Sequence, residues 1–289
     1  MIDHAVVFKL LNFEELKILR AIENGMKTHE FVAVADMASY TGYSQKEIEY
    51  RLWHLMELDL LERFTAHYVG YQLKYNGYDI LAISAFVRRE TIHSLGGIVG
   101  VGKESVVIAA IGKSGMPLAI KFHREGRTAF KHVKRKREHL LDLQHVSWLY
   151  ASTLAAKREF EVLEKTYPVV SVPEPVDYNR HAIVMSVVEG HELSRARLEE
   201  PAWYLDEIIK QLTLTYHQGF VHGDFSEYNV MVSETGVTLI DWPQAVSTGT
   251  KIGDELLNRD VNNILTFFLR KYRIKKDTEA VVNKIKGQA

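Results

Sequence analysis

The 289 residues, 46% apolar and 25% charged, suit a globular protein of one large domain or two ordinary ones. A net charge of −1 excludes capture of nucleic acid or anionic membrane by overall charge, and the absence of cysteine excludes disulfides, Cys-ligated zinc and iron–sulfur clusters. No apolar run is long enough to span a bilayer and the first residues lack a signal-peptide pattern, so the expectation is a cytoplasmic protein with no membrane partner.

Residues 1–90 predict a small helical domain with a strand pair. Leu11, Leu16, Leu19 and Ile22 recur at helical spacing before a break at Asn24-Gly25. A second helix fits Phe31 to Tyr40 and ends near Gly42. Ser44 opens a third, with Glu47 placed for a reciprocal capping box and Ile48, Leu52, Leu55 and Leu58 as its inward stripe. Leu60 to Phe64 and Tyr68 to Leu73 alternate as two strands, and Tyr78 to Arg88 closes the domain as a helix. Three helices and a two-stranded wing describe a winged helix. Its third helix mixes Lys46 and Arg51 with Glu47, Glu49 and Glu57, a poor face for tracking phosphates. A packing module and a binder of RNA, DNA or protein both stay open.

The character changes from about residue 91. Ile98 to Val107 reads as strand, glycine turn, strand, and the next strand, Leu118 to Phe122, carries Lys121. That order opens the small lobe of a kinase-like fold. Glycines at 100 and 102 let backbone approach phosphate oxygens, and Lys121 would set a positive charge against them. A helix over Ser147 to Glu164 would present Leu149, Thr153, Ala156, Phe160 and Leu163 on one face; its Glu159, ahead of Glu161, is the candidate to position Lys121. Pro173 to Pro175 predicts a turn before a strand from His181 to Ser186. Met185 to Gly190 sits where a hinge between lobes would meet adenine, with Met185 and Val187 as its contacts. Ala202 to Gln218 is an amphipathic helix stopped by Gly219, and Leu256 to Arg270 and the basic tail read as two more. The division is 1–90 for the winged helix and 91–289 for the second domain, with a small lobe over about 91–188 and a large lobe over about 189–289.

The octet His222-Gly223-Asp224-Phe225-Ser226-Glu227-Tyr228-Asn229 carries most of the chemistry, together with Ile240-Asp241-Trp242. Asp and Asn five positions apart, then Asp after a short strand, is the base-and-metal layout of the kinase-like phosphotransferases. A triphosphate repels a nucleophile until cations neutralise it. Asp224 would aim the nucleophile and take its proton, while Asn229 and Asp241 supply the oxygens that a hard cation such as Mg2+, or Mn2+ in its place, prefers. Val230 to Val232 and Val237 to Ile240 bracket the turn Ser233 to Gly236, so Asn229 and Asp241 should emerge from one hairpin. His222 is expected to support the loop backbone, Trp242 to be core, and Tyr228 to fill space beside Asn229.

Between the Lys strand and the Glu helix runs a basic segment. Phe122 to His139 holds seven Lys or Arg (Arg124, Arg127, Lys131, Lys134, Arg135, Lys136, Arg137) against two Glu. Such a run is either a solvated loop or the contact for a phosphate-rich partner such as RNA.

The chain resembles the RIO family of atypical serine/threonine protein kinases, in particular the subfamily with an N-terminal winged helix. The resemblance rests on Gly100-Val101-Gly102-Lys103-Glu104-Ser105, Lys121, Glu159-Phe160, the octet, and Ile240-Asp241-Trp242-Pro243-Gln244. It implies an α+β chain in which the winged helix precedes a compact two-lobed kinase-like domain. It further implies that the Gly100 to Ser105 turn and Lys121 meet the phosphates of ATP, that Asp224 is catalytic, and that Asn229 and Asp241 hold Mg2+. The implied partner is the precursor of the small ribosomal subunit, with ribosomal RNA on the basic segment. Gly223 replaces the Arg that precedes the catalytic Asp in ordinary protein kinases, and Asp-Trp-Pro replaces their Asp-Phe-Gly. Only 48 residues follow Asp241, which argues against a peptide-docking platform and leaves the protein's own serine, an external protein or water as the acceptor. Small-molecule kinases of the aminoglycoside and choline type share the catalytic motifs but have a large helical subdomain after the second Asp. A winged-helix regulator that only senses nucleotide is the non-enzymatic alternative.

Overall fold

The computed structural model describes residues 2–124 and 144–288. Two compact units emerge: Met1–Ala156 with Asp177–Val184, and Lys157–Val176 with Met185–Ala289.

The first unit begins with α1 (His4–Leu10), α2 (Phe13–Gly25), β1 (Val32–Ala33), α3 (Val34–Thr41) and α4 (Gln45–Glu57). The wing follows as β2 (Leu61–Phe64) and β3 (Gly70–Leu73), then α5 (Tyr75–Arg88). β3 lies between β1 and β2 in an antiparallel sheet, with Val32 opposite Tyr71 and Leu61 opposite Leu73. Capping boxes start two of these helices: Asn12 with Glu15 opens α2 and Ser44 with Glu47 opens α4. Ile18, Leu19 and Ile22 of α2 meet the same core as Ile48, Leu52 and Leu55 of α4, and all six are fully buried. Each such side chain contributes about 1.5–3 kcal/mol of transfer free energy. The arrangement is the winged helix read from the sequence. Two details differ. Helix α1, capped by the Asp3 carboxylate, has no counterpart in the sequence reading, and β1 occupies the residues expected to begin the second helix.

A second sheet in chain order comprises β4 (Ser94–Val101), β5 (Ser105–Ile111), β6 (Pro117–His123), β7 (Pro175–Asn179) and β8 (Ala182–Ser186). Its spatial order is β4-β5-β6-β8-β7. The expected turn over Pro173 to Pro175 is shorter than predicted, because Pro175 is the first residue of strand β7. A first strand position tolerates the missing N–H.

Asp79 on α5 ties this unit together. Its buried carboxylate accepts from His4 Nε2 (2.8 Å), His181 Nε2 (2.9 Å) and the Arg124 guanidinium. Burial alone would raise the Asp79 pKa, but the bonds from His181 and His4 and the Arg124 charge outweigh it and hold the pKa below the usual carboxylate range. Arg124 also lies 4.6 Å from the Tyr75 ring centroid. The first cation of the basic segment is therefore committed to the core rather than to RNA. Arg127, Lys131, Lys134, Arg135, Lys136 and Arg137 lie outside the described residues. A second tie is the fork from Arg180 to Glu23, with both N–O distances 2.6 Å.

Helix α6 (Gln144–Thr166) enters the second unit, which continues with β9 (His191–Glu192), α7 (Pro201–His217), β10 (Phe220–Val221), β11 (Val230–Ser233), β12 (Gly236–Leu239), β13 (Val246–Ser247), α8 (Lys251–Tyr272) and α9 (Thr278–Lys286). The buried face of α6 runs through Ser152, Ala155, Ala156, Glu159, Val162, Leu163 and Thr166, while Thr153 and Phe160 are half-buried. The face is rotated from the predicted one, and the rotation carries Glu159 inward. β11 pairs with β12 on one side and β9 on the other, and β10 pairs with β13.

Candidate active site

The octet lies between β10 and β11. β11 and β12 form the expected hairpin, with Val230 opposite Leu239 and Ser233 opposite Gly236. Its open end joins the two motifs: Ile240 N–H donates to the Asn229 carbonyl at 3.0 Å. The Asn229 side chain is buried and its Nδ2 donates to the Asp224 carbonyl at 2.8 Å. That bond fixes the amide and turns its oxygen the other way. Asp224, by contrast, is exposed, which leaves its carboxylate open to a substrate.

Asp241 follows β12 with φ 70°, the left-handed region that a non-glycine residue enters at a cost. The next residue anchors that turn. Trp242 is fully buried, its indole N–H donates to the Leu239 carbonyl (3.2 Å), and its backbone N–H donates to Glu159 Oε1 (3.2 Å). His222 is buried with its ring 4.5 Å from Trp242, and its Nε2 donates to the Ile240 carbonyl at 3.0 Å. Burial lowers the His222 pKa, a shift the Ile240 bond and neighbouring carboxylates oppose. His222 and Trp242 thus play the supporting parts expected of them. Tyr228 does not: it is 61% exposed instead of packing beside Asn229.

Asp260 on α8 was not singled out from the sequence, yet it shapes the loop that carries Asp224. Its buried carboxylate accepts from Gly223 N (2.8 Å) and Phe225 N (3.1 Å), gripping the backbone on both sides of Asp224. Burial raises its pKa, opposed by those two bonds. Arg259 donates to the Gly223 carbonyl and Asn263 Nδ2 to the Phe225 carbonyl (3.1 Å). Gly223 adopts φ 79°, and a Cβ there would stand 2.4 Å from the Gln244 carbonyl oxygen. One signal was available. Leu257, Val261, Ile264, Leu265 and Phe268 form a buried stripe, and Asp260 interrupts it as an acid at an inward position.

The nucleotide candidates are divided between the units. In the first, Lys121 is buried on β6 opposite Val107. Gly102 N–H donates to the Ser105 carbonyl (2.9 Å), closing the turn with Lys103 exposed and Glu104 half-buried near its tip; the Glu104 carbonyl accepts from Arg124 N (2.7 Å). A Cβ on Gly100 would meet only the Val107 side chain, at 3.8 Å, so this glycine is not demanded by packing, and it leaves backbone uncovered. In the second unit, Met185 is half-buried near the end of β8 and Val187 is exposed just beyond it. Ser186 N–H is already engaged by the Glu174 carbonyl at 2.9 Å.

The donor set suits Mg2+. Asn229 and Asp241 offer hard oxygens, and among the described residues no group of three His, Asp or Glu closes around a metal. Asn229 and Asp241 would hold such an ion, which would supply positive charge against the phosphates of a nucleotide.

Comparison with known proteins places this geometry. A family model described as RIO domain matches residues 106–281, and one described as Rio2, N-terminal, matches residues 8–89. The RIO-type serine/threonine-protein kinase Rio2 of Methanocaldococcus jannaschii is 40% identical over 268 residues, which cover 90% of this chain and 98% of the relative. The serine/threonine-protein kinase RIO2 of Saccharomyces cerevisiae is 34% identical over 278 residues, 92% of this chain and 65% of the relative. A solved Rio2 kinase of Chaetomium thermophilum, in an ADP/Mg2+-phosphoaspartate complex, superposes with a TM-score of 0.84 at 31% identity, covering all of this chain and 89% of that one. The fold class is thus α+β, a Rio2-type N-terminal winged helix followed by a kinase-like domain with a sheet lobe.

Proposed function

The chain belongs to the RIO family of serine/threonine-protein kinases, and from that membership we propose the parts its residues play and the setting in which it acts. It is an ATP-dependent phosphotransferase that uses Mg2+. Lys121 and the turn from Gly100 to Ser105, with Lys103 and Glu104 at its tip, bind the phosphates of ATP; Met185 and Val187 border the adenine. Asn229 and Asp241 hold Mg2+, which neutralises phosphate charge when bound. Asp224 orients the acceptor and takes its proton. Asp260 holds Gly223 and Phe225 so that Asp224 projects outward. Glu159 holds Trp242 N–H and with it the turn at Asp241.

The observation that carries this reading is the hairpin mouth itself. Asn229 is bonded through its side chain to Asp224 and through its backbone to the segment that presents Asp241. Base and metal ligands are thereby locked to one another before any substrate arrives.

Water is the acceptor we favour. Transfer of the γ-phosphoryl group to an aspartate and then to water yields ADP and inorganic phosphate without a peptide substrate. The phosphoaspartate of the Chaetomium relative supports that route. The setting we propose is maturation of the small ribosomal subunit in the cytoplasm, with ribosomal RNA on the basic segment beyond Arg124. Among the described residues no helix is long and apolar enough to cross a membrane.

Phosphate release, phosphate transfer to protein and acid-stable binding of label are measured with and without small-subunit precursor particles. Hydrolysis that changes with the particles is the expected result; efficient peptide phosphorylation with negligible hydrolysis would count against it. Asp224→Asn keeps ATP binding and loses about two to four powers of ten in turnover, the usual worth of a positioned base. Asp241→Ala loses Mg2+-dependent binding instead. Retained turnover in Asp224→Asn would remove the residue from the reaction.

A further inference from the structure

Helix α4, the third helix of the winged helix, buries one side and leaves the other bare. Ile48, Leu52 and Leu55 are fully buried, while Tyr50 is 77% and Trp53 59% exposed. Lys46, Tyr50, Trp53 and Glu57 recur every three or four residues, so they share one exposed stripe, with Glu49 at its edge. Neither aromatic ring serves the helix's own packing. Tyr and Trp on an exposed face are costly to leave wet and are the side chains that most often anchor an interface.

We infer that this face docks a protein segment rich in Arg or Lys. The charge on the stripe decides against nucleic acid. Glu49 and Glu57 flank the rings and Lys46 is the cation of the stripe. The other nearby cation is committed: Arg51 Nη1 donates to the Glu47 carbonyl (3.2 Å) and its guanidinium stacks over Tyr43 at 5.8 Å. A phosphate backbone laid along α4 would meet two carboxylates and release few counterions. A guanidinium or ammonium group gains from both features at once. It lies on the face of Trp53 or Tyr50 through a cation–π contact and reaches a carboxylate through a charge-assisted hydrogen bond. Unlike the basic segment, this surface is read as recognising protein and not RNA, and it is independent of the nucleotide chemistry.

Fluorescence anisotropy on the full chain tests it, with a labelled Arg-Gly repeat peptide and a labelled single-stranded RNA of equal length as the two probes. The peptide is expected to bind, at least about fivefold more weakly to the Tyr50→Ala, Trp53→Ala double variant, since losing two cation–π contacts of about 0.5–2 kcal/mol each is worth at least that factor. Glu49→Gln with Glu57→Gln weakens it similarly and flattens its salt dependence. Thermal unfolding and ATP turnover stay at the wild-type level in both, because no replaced side chain is buried. Failure of the peptide to bind, or wild-type affinity in either double variant, overturns the proposal. RNA binding that disappears on removal of the two rings also overturns it, in favour of base stacking.

Discussion

Asp79 in the first unit and Asp260 in the second are each no more than 1% exposed, and each sits on a helix with its carboxylate turned inward. They are satisfied by different groups. Asp79 is met by side chains from three other places in the chain, His4, His181 and Arg124, and its pKa falls below the carboxylate range. Asp260 is met by two backbone N–H groups of one loop, and burial still lifts its pKa. The difference separates a tie from a template. Asp79 joins elements that meet only in the folded unit, so its loss should be felt as stability. Asp260 shapes the chain on either side of Asp224, the proposed base, so its loss should be felt as rate.

The largest effect expected is on stability at Asp79. Asp79→Ala leaves Arg124 buried without its counter-charge and should cost about 3–5 kcal/mol, measured by urea unfolding. A cost below about 1 kcal/mol would show that the cluster is solvated in solution. Asp260→Asn should cost less, about 1–3 kcal/mol, because the amide can still accept from one of the two N–H groups. Its kcat should nevertheless fall while the KM for ATP holds, since the turn proposed to bind phosphate lies elsewhere in the chain. Equal activity would break the comparison.

The two acids should also differ in the sign of their pH dependence. A depressed pKa, as for Asp79, adds stability that is present above the unfolded value and lost as pH falls below about 4 towards the lower folded value. A raised one, as for Asp260, makes the folded state hold the extra proton, so stability falls as pH rises from about 4 towards the higher folded value. Asp79→Asn should therefore blunt the acid loss and Asp260→Asn should steepen it. Above that window His181 and His222 act together. Burial lowers both pKa values, and the buried Nδ1 of each has no hydrogen-bond partner among the described residues. The unfolded chain takes up protons that the folded one refuses, so stability should begin to fall below about pH 6.5. Unfolding free energies between pH 8 and pH 3 measure all of this. The smallest effect serves as a baseline. Asn12→Ala removes the α2 cap, touches neither carboxylate, and should cost about 1 kcal/mol at every pH without changing turnover.

Much of this molecule could be read in one dimension. Ser44 and Glu47 announced α4, Gly219 stopped α7, and Val230 to Ile240 declared its hairpin, because caps, left-handed stops and alternation are local signals. Asp224, Asn229 and Asp241 were legible for a related reason: the spacing that makes them useful is short and spans one hairpin. Helix α1 escaped notice because it is seven residues long, and β7 because Pro173 and Pro175 signal a turn more loudly than a strand. Tyr228 was misplaced because nothing local says which side of the loop faces water.

The amino-acid order by itself determined the helices with caps, the wing, the glycine turn and the hairpin beside which Asp224, Asn229 and Asp241 lie, since each depends on neighbours a few positions away. Only the folded chain decided what Asp79 and Asp260 do. Each interrupts the apolar stripe of a helix, where periodicity registers a flaw and predicts no partner. Arg124 and the loop around Asp224 are brought to them by packing across long stretches of sequence. A charge in the interior persists only where such partners arrive, and their arrival is a property of tertiary structure.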